Sequence, residues 1–260
     1  EQGRPTRLDY KDPEALKAIG FEALPLAKMG VYADERRASW PVTHHVDKIK
    51  LPEPSKPRPD AKLPPSPTYR VGRVASPIMV DGHVRPDEWN GASDKTAMAL
   101  TVNYDGKSVA PPAKAWLTHD GTTLRIAMIT PLPTKRNLGT AWGGSDAIEL
   151  AFRAADGPNA DTLVLRGFTT GKWLTTGDAG AGAAALAKLG KGVGYATQVA
   201  GKQWSAEWQI PLENLGVVPG DRIRANVTVR RIGGDAWVMW RPTRGNSYLV
   251  ERVGTLELAP

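Results

Sequence analysis

From residue 113 to 129 the chain reads AKAWLTHDGTTLRIAMI: apolar and polar residues alternate, Asp120-Gly121 interrupts them, and the alternation resumes. A period of two sends successive side chains to opposite faces of an extended strand, and Asp-Gly supplies the tight turn that pairs two such strands. The same pattern recurs in DAIELAF (146–152), TLVLRGF (162–168), YATQVAGKQWSAEWQI (195–210), RIRANVTVRR (222–231), AWVMW (236–240) and TLEL (255–258). Eight or nine short strands, parted by turn residues every ten or so positions, predict two packed antiparallel sheets, an all-β sandwich, over residues 71–260. DAIELAF puts Ile148, Leu150 and Phe152 on one face and Glu149 on the other, while Trp204 and Trp208, four apart, share a face and read as sheet packing. Pro211 ends their strand. The Gly- and Ala-rich stretch 177–194 breaks the series; its centre, AAALAKL, allows one or two helical turns inside a connection expected to be mobile.

Residues 1–70 follow different rules. They hold 11 of the 22 prolines, and LPEPSKPRPDAKLPPSPTYR (51–70) reads as an extended, semi-rigid strap, because proline fixes φ and removes amide donors. One short helix fits before it, with Asp12 as N-cap, Pro13 at the first helical position and Gly20 as the stop. Too few apolar residues are present to offset the ordering entropy of this arm, so the expectation is a partner that grips it, with Phe21, Leu24, Met29 and Trp40 as anchors.

Composition removes several function classes. The chain has no cysteine, which excludes disulfides, thiolate metal sites and thiol nucleophiles. The net charge of +7 is spread thinly, with 13 Lys+Arg and 10 Asp+Glu before residue 71 and 21 and 17 after it, so no basic face suggests nucleic acid. No apolar run approaches the roughly 20 residues of a membrane span, and the opening EQGRPTRLDY reads as a processed end of an exported, periplasmic or secreted protein. Enzyme readings fare poorly. Asp146 and Glu149 point to opposite sides of their strand, and the four histidines (44, 45, 83 and 119) show neither triad nor metal-ligand spacing. No phosphate-cradling loop opens a helix, so no cofactor and no metal are expected.

The stretch IMVDGHVRPDEWNGA (78–92) places a strand before the Asp81-Gly82 turn and makes Trp89 an amphipathic plug over the end of the sandwich, its indole N–H bonded to a loop carbonyl. This opening, the later WGGSDAIELAF, the WSAEWQIPLENLGVVPGDRIRANVTVRR block and the closing MWRPTRGNSYLVERVGTLEL together resemble, in order, family 9 carbohydrate-binding modules over residues 75–260. The resemblance implies an immunoglobulin-like β-sandwich, usually exported, that binds sugar ends or serves as a non-catalytic module. It also implies two tryptophans sandwiching a terminal sugar, at positions matched by Trp142 and Trp240, with Glu149, Arg166 and Asn246 as polar partners. A more distant similarity is to the haem-carrying small subunits of periplasmic molybdenum oxidoreductases. Haem ligation by Met128 or Met239 would follow, but methionine in a strand ordinarily fills core.

Two functions emerge. The first is a non-catalytic accessory subunit docked by its arm on a larger, membrane-bound protein complex of the electron-transfer or photosynthetic kind. The alternative is a carbohydrate-binding module. The strap, which has no role in simple sugar recognition, favours the first.

Overall fold

The computed structural model describes residues 17, 18, 20, 66–89, 93, 95–133, 136–157 and 160–260. The chain divides into two units, Glu1–Pro59 and Asp60–Pro260. In the first, Lys17 and Ala18 are helical and Gly20 turns at φ +79°, where the stop was expected. The anchors Phe21, Leu24, Met29 and Trp40 lie outside the described residues.

Among the described residues the second unit is a β-sandwich of twelve strands: β1 (Thr68–Arg73), β2 (Met98–Val102), β3 (Ser108–His119), β4 (Thr123–Pro131), β5 (Ala147–Ala154), β6 (Leu163–Phe168), β7 (Trp173–Thr176), β8 (Gly194–Ala200), β9 (Gln203–Pro211), β10 (Arg222–Arg231), β11 (Ala236–Met239) and β12 (Gly254–Leu258). One layer runs β7-β6-β5-β10 and the other β3-β4-β9-β8. Two links join them. One half of β10 pairs with β11, which meets β2 and so β3; its other half pairs with β12, which runs parallel to β1, itself parallel to the end of β3. Among the described residues no helix is long and apolar enough to cross a membrane.

The period-two reading assigns the inner faces. Ile148, Leu150, Phe152, Leu165, Val227 and Val229 from one layer meet Leu117, Ile126, Met128, Trp204 and Trp208 from the other, all 5% exposed or less. Large apolar side chains buried in this way each contribute about 1.5–3 kcal/mol. A close approach is at Gly167 on β6: a Cβ there would sit 2.5 Å from Trp208 and 2.7 Å from Tyr195. Glycine is what lets Tyr195 and Trp208 of β8 and β9 come this close to the opposite sheet. Arg231 closes one end, donating from Nε and Nη2 to Thr130 Oγ1 (3.0 and 2.8 Å) and from Nη1 to the Pro111 carbonyl (2.5 Å); its burial lowers its pKa to about 10.

Expectations for three segments are corrected here. The body begins at β1, whose first residues, 68–70, were read as strap; parallel pairing to β12 outweighs the surrounding prolines. Residues 77–80 form no strand. The segment they begin instead lies over the outer face of β3, β4 and β9, where Ile78 and Trp89 pack on Trp116 and Ala127. Trp89 is buried as a plug, but its indole donates to the Glu207 carboxylate (2.8 Å) and not to a carbonyl; the other carboxylate oxygen accepts from the Asp81 and Gly82 amides (2.9 and 2.8 Å). Third, the 177–194 connection is anchored. Its centre is helix α1 (Ala183–Gly190), with Leu189 fully buried, and the Asn214 amide holds the Leu189 and Lys191 carbonyls from α2 (Leu212–Leu215).

Candidate functional site

The outer face of the other layer carries the polar and aromatic residues. Pairing across β6, β5, β10 and β11 aligns Arg166, Glu149, Thr228 and Met239 in one row and puts Arg230 opposite Trp237 in the next. Strand pairing therefore decides the parity of AWVMW: Trp237 and Met239 face outward, while Val238 and Trp240 belong to the core side. The Trp240 ring packs so tightly over Gly254 that a Cβ there would come within 2.1 Å of it. Trp240 thus takes no part in this face.

Trp142 reaches the face from the loop before β5. Its neighbour is Trp237, with ring centroids 5.3 Å apart and planes at 74°. The two half-buried indoles touch edge to face, so they form a corner and not a slot: a sugar ring between two parallel indoles needs a separation of roughly 7 Å, two van der Waals contacts of 3.5–4.0 Å. Each indole carries a guanidinium on its face, Arg166 at 4.4 Å from Trp142 and Arg230 at 4.9 Å from Trp237. Each guanidinium is held in turn by an aspartate. Arg166 Nη1 lies 2.7 Å from Asp178 Oδ2, and Arg230 Nη2 donates to Asp235 Oδ1 at 2.5 Å while its Nε donates to the Gly143 carbonyl at 3.1 Å.

Beneath the corner, Arg166 Nε donates to Glu149 Oε2 at 2.8 Å, and the Ser247 hydroxyl donates to Oε1. Glu149 is 1% exposed and Arg166 5%. Burial raises the Glu149 pKa, and the Ser247 hydroxyl and the Arg166 charge act against that rise. Arg166 holds Asp178 below the ordinary carboxylate range. Both oxygens of Glu149 are hydrogen-bonded, solvent is nearly excluded from the ion pair, and the Arg166 guanidinium stacks on the Trp142 ring. Asn246 is exposed at the rim, its amide donating to the Tyr248 hydroxyl at 2.7 Å. Buried Asn226 fixes that loop through the Arg241 amide and the Arg241 and Ser247 carbonyls.

Of the five expected sugar contacts, the structure brings Trp142, Arg166 and Glu149 into one cluster, leaves Asn246 beside it through Ser247, and turns Trp240 away. Sequence reasoning missed Trp237, Arg230, Asp178 and Asp235. For the first two a signal existed: a hairpin closed by Ile232-Gly233-Gly234-Asp235 sets Trp237 across from Arg230. Among the described residues no group of three or more His, Asp or Glu side chains could hold a metal ion.

No protein-family model matches the sequence, and no curated protein does either. Solved structures do. A family 9 carbohydrate-binding module from Caldicellulosiruptor kristjanssonii in complex with cellotriose superposes with a TM-score of 0.56 at 18% identity, over 74% of this chain and 93% of the module. A family 9 module from the same organism in complex with glucose gives 0.56 at 16% identity, over 73% and 95%. At this identity the likeness is one of fold, and the chain has the β-sandwich of these modules.

Proposed function

We propose that this chain is a non-catalytic carbohydrate-binding protein whose ligand lies over the Trp142–Trp237 corner. The observation that carries the proposal is the pair of half-buried indoles on the outer sheet face, each stacked against an arginine that an aspartate holds. Holding an aromatic face rigid in this way lowers the entropy lost when a pyranose stacks on it. The shared fold with modules solved in complex with cellotriose and glucose supports the same reading.

The test is a calorimetric titration of the intact chain with cellotriose. Binding that W142A/W237A weakens at least tenfold, with the thermal midpoint nearly unchanged, is the expected result. Absence of binding by the unaltered chain, or unchanged affinity in the double variant, would sink the proposal. Docking on a membrane-bound complex through the arm finds no supporting observation among the described residues.

A further inference from the structure

Exposure is unevenly divided within the cluster that braces the corner. The side chains of Arg166 and Arg230 are 6% and 10% exposed, whereas those of Asp178 and Asp235 are 50% and 89% exposed. A ligand lying over the indoles therefore meets two carboxylates first, with the guanidiniums behind them. Glu149 adds a third acid beneath, so three carboxylates stand against two guanidiniums in a chain whose overall charge is +7. Within these five side chains the sign opposes the global one.

We propose, resting on the sugar-binding reading above, that Asp178 and Asp235 are the ligand-facing acceptors of the site and make it select against anionic saccharides, favouring sugars that present only hydroxyls or a protonated amine. Each aspartate accepts from its arginine, at 2.7 and 2.5 Å, and Asp178 also from the Thr176 hydroxyl; these bonds orient the carboxylates, whose remaining lone pairs, on side chains 50% and 89% exposed, can accept from a sugar hydroxyl or ammonium. A uronate brings a like charge to the same place. To reach a guanidinium it must first displace an aspartate, which exchanges one ion pair for another and gains none. The guanidinium nitrogen left over, Arg230 Nη1, lacks an acceptor but is sealed from solvent. Repulsion across a mostly solvated gap of about 4 Å then weakens uronate binding by roughly tenfold.

Three β-1,4-linked trimers with one backbone and different charge separate the outcomes: cellotriose, its C6-oxidised tri-uronate, and the glucosamine trimer. Titrated into the intact chain at low salt, the neutral and amino trimers are expected to bind and the uronate to bind at least tenfold more weakly, the gap closing as salt screens it. D178N/D235N should bring the three affinities within about threefold of one another, D178N alone falling between, with thermal midpoints showing that both variants are folded. Uronate binding equal to or tighter than cellotriose, or a double variant that keeps the tenfold gap, overturns the inference and leaves the sugar-binding reading intact. If none of the trimers binds the unaltered chain, that reading falls and takes this one with it.

Discussion

Each layer of the sandwich buries one glutamate on its outer face, and the two are satisfied in different ways. Glu207 on β9 is held by neutral donors: the Trp89 indole and the amides of Asp81 and Gly82. Those donors belong to a segment that closes over the sheet, so the acid serves as a staple and its face is shut. Glu149 on β5 is held by a cation, Arg166, whose far end reaches the half-exposed Asp178, and by Ser247. That face ends in charge and aromatic surface. A buried carboxylate satisfied by backbone and indole donors organises its own chain; one satisfied by an arginine that stacks on a half-buried tryptophan fixes the side chains of an open face.

The contrast can be broken from either side. The largest effect is expected from E207A, which strands three donors under a closed cover at about 1–3 kcal/mol each. Urea midpoints should report a loss of about 4 kcal/mol, with sugar affinity unaltered in whatever fraction stays folded. R166A should cost less, about 3 kcal/mol, the lower end for leaving a buried charge unpaired, because water can follow Asp178 down to Glu149. Unlike E207A it should also lower affinity, since Trp142 loses its brace; equal affinity in the two variants would erase the distinction between the faces. Next comes G167A, placed between the layers. Its new Cβ meets Trp208 at 2.5 Å, and overpacking of that kind costs about 1–3 kcal/mol without favouring either face.

The smallest effect is in the pH dependence of stability. Burial raises the pKa of Glu149 and of Glu207, so each contributes stability that is complete below the ordinary value of about 4.3 and lost as pH rises through its raised one. Asp178 is lowered by Arg166, so its contribution is present above about 3.9 and lost as pH falls through its own value. Urea midpoints measured from pH 3 to 8 should lose part of their alkaline slope in E207Q and part of their acid slope in D178N. The same change in both variants would mean that the carboxylates are not separately coupled to folding.

Alternation made the sandwich legible. Ile148, Leu150 and Phe152 on one side of β5, and the buried pair Trp204 and Trp208, follow from period two alone, because one inner face must be apolar. What stayed hidden depends on distant partners. β1 carries no strong strand signal of its own and exists because β12, near the far end of the sequence, pairs with it. Residues 78–89 read as a strand and a plug, but their path is set by Glu207, whose charge gives no hint in sequence of what it will hold. At the candidate site the residue types were legible and the geometry was not. Arg166 and Glu149 entered as polar partners through the family resemblance, and nothing local reveals that Ser247 bonds Glu149 from a distant loop. Trp240 came from matching the family's pattern, and only the register of the β10–β11 hairpin shows that it lies on the core side while Trp237 lies on the outer face.

β1 lies parallel to β12 over Thr68–Val71 and Thr255–Leu258. Tension applied between the segment that precedes Thr68 and the residues after Leu258 would therefore load the hydrogen bonds between these strands in shear, all at once, where an antiparallel hairpin would unzip them singly. Single-molecule stretching from those two points should give one high-force rupture, and a gradual low-force extension would contradict it. A protein tethered at one end and anchored at the other would meet mechanical load with its strongest geometry.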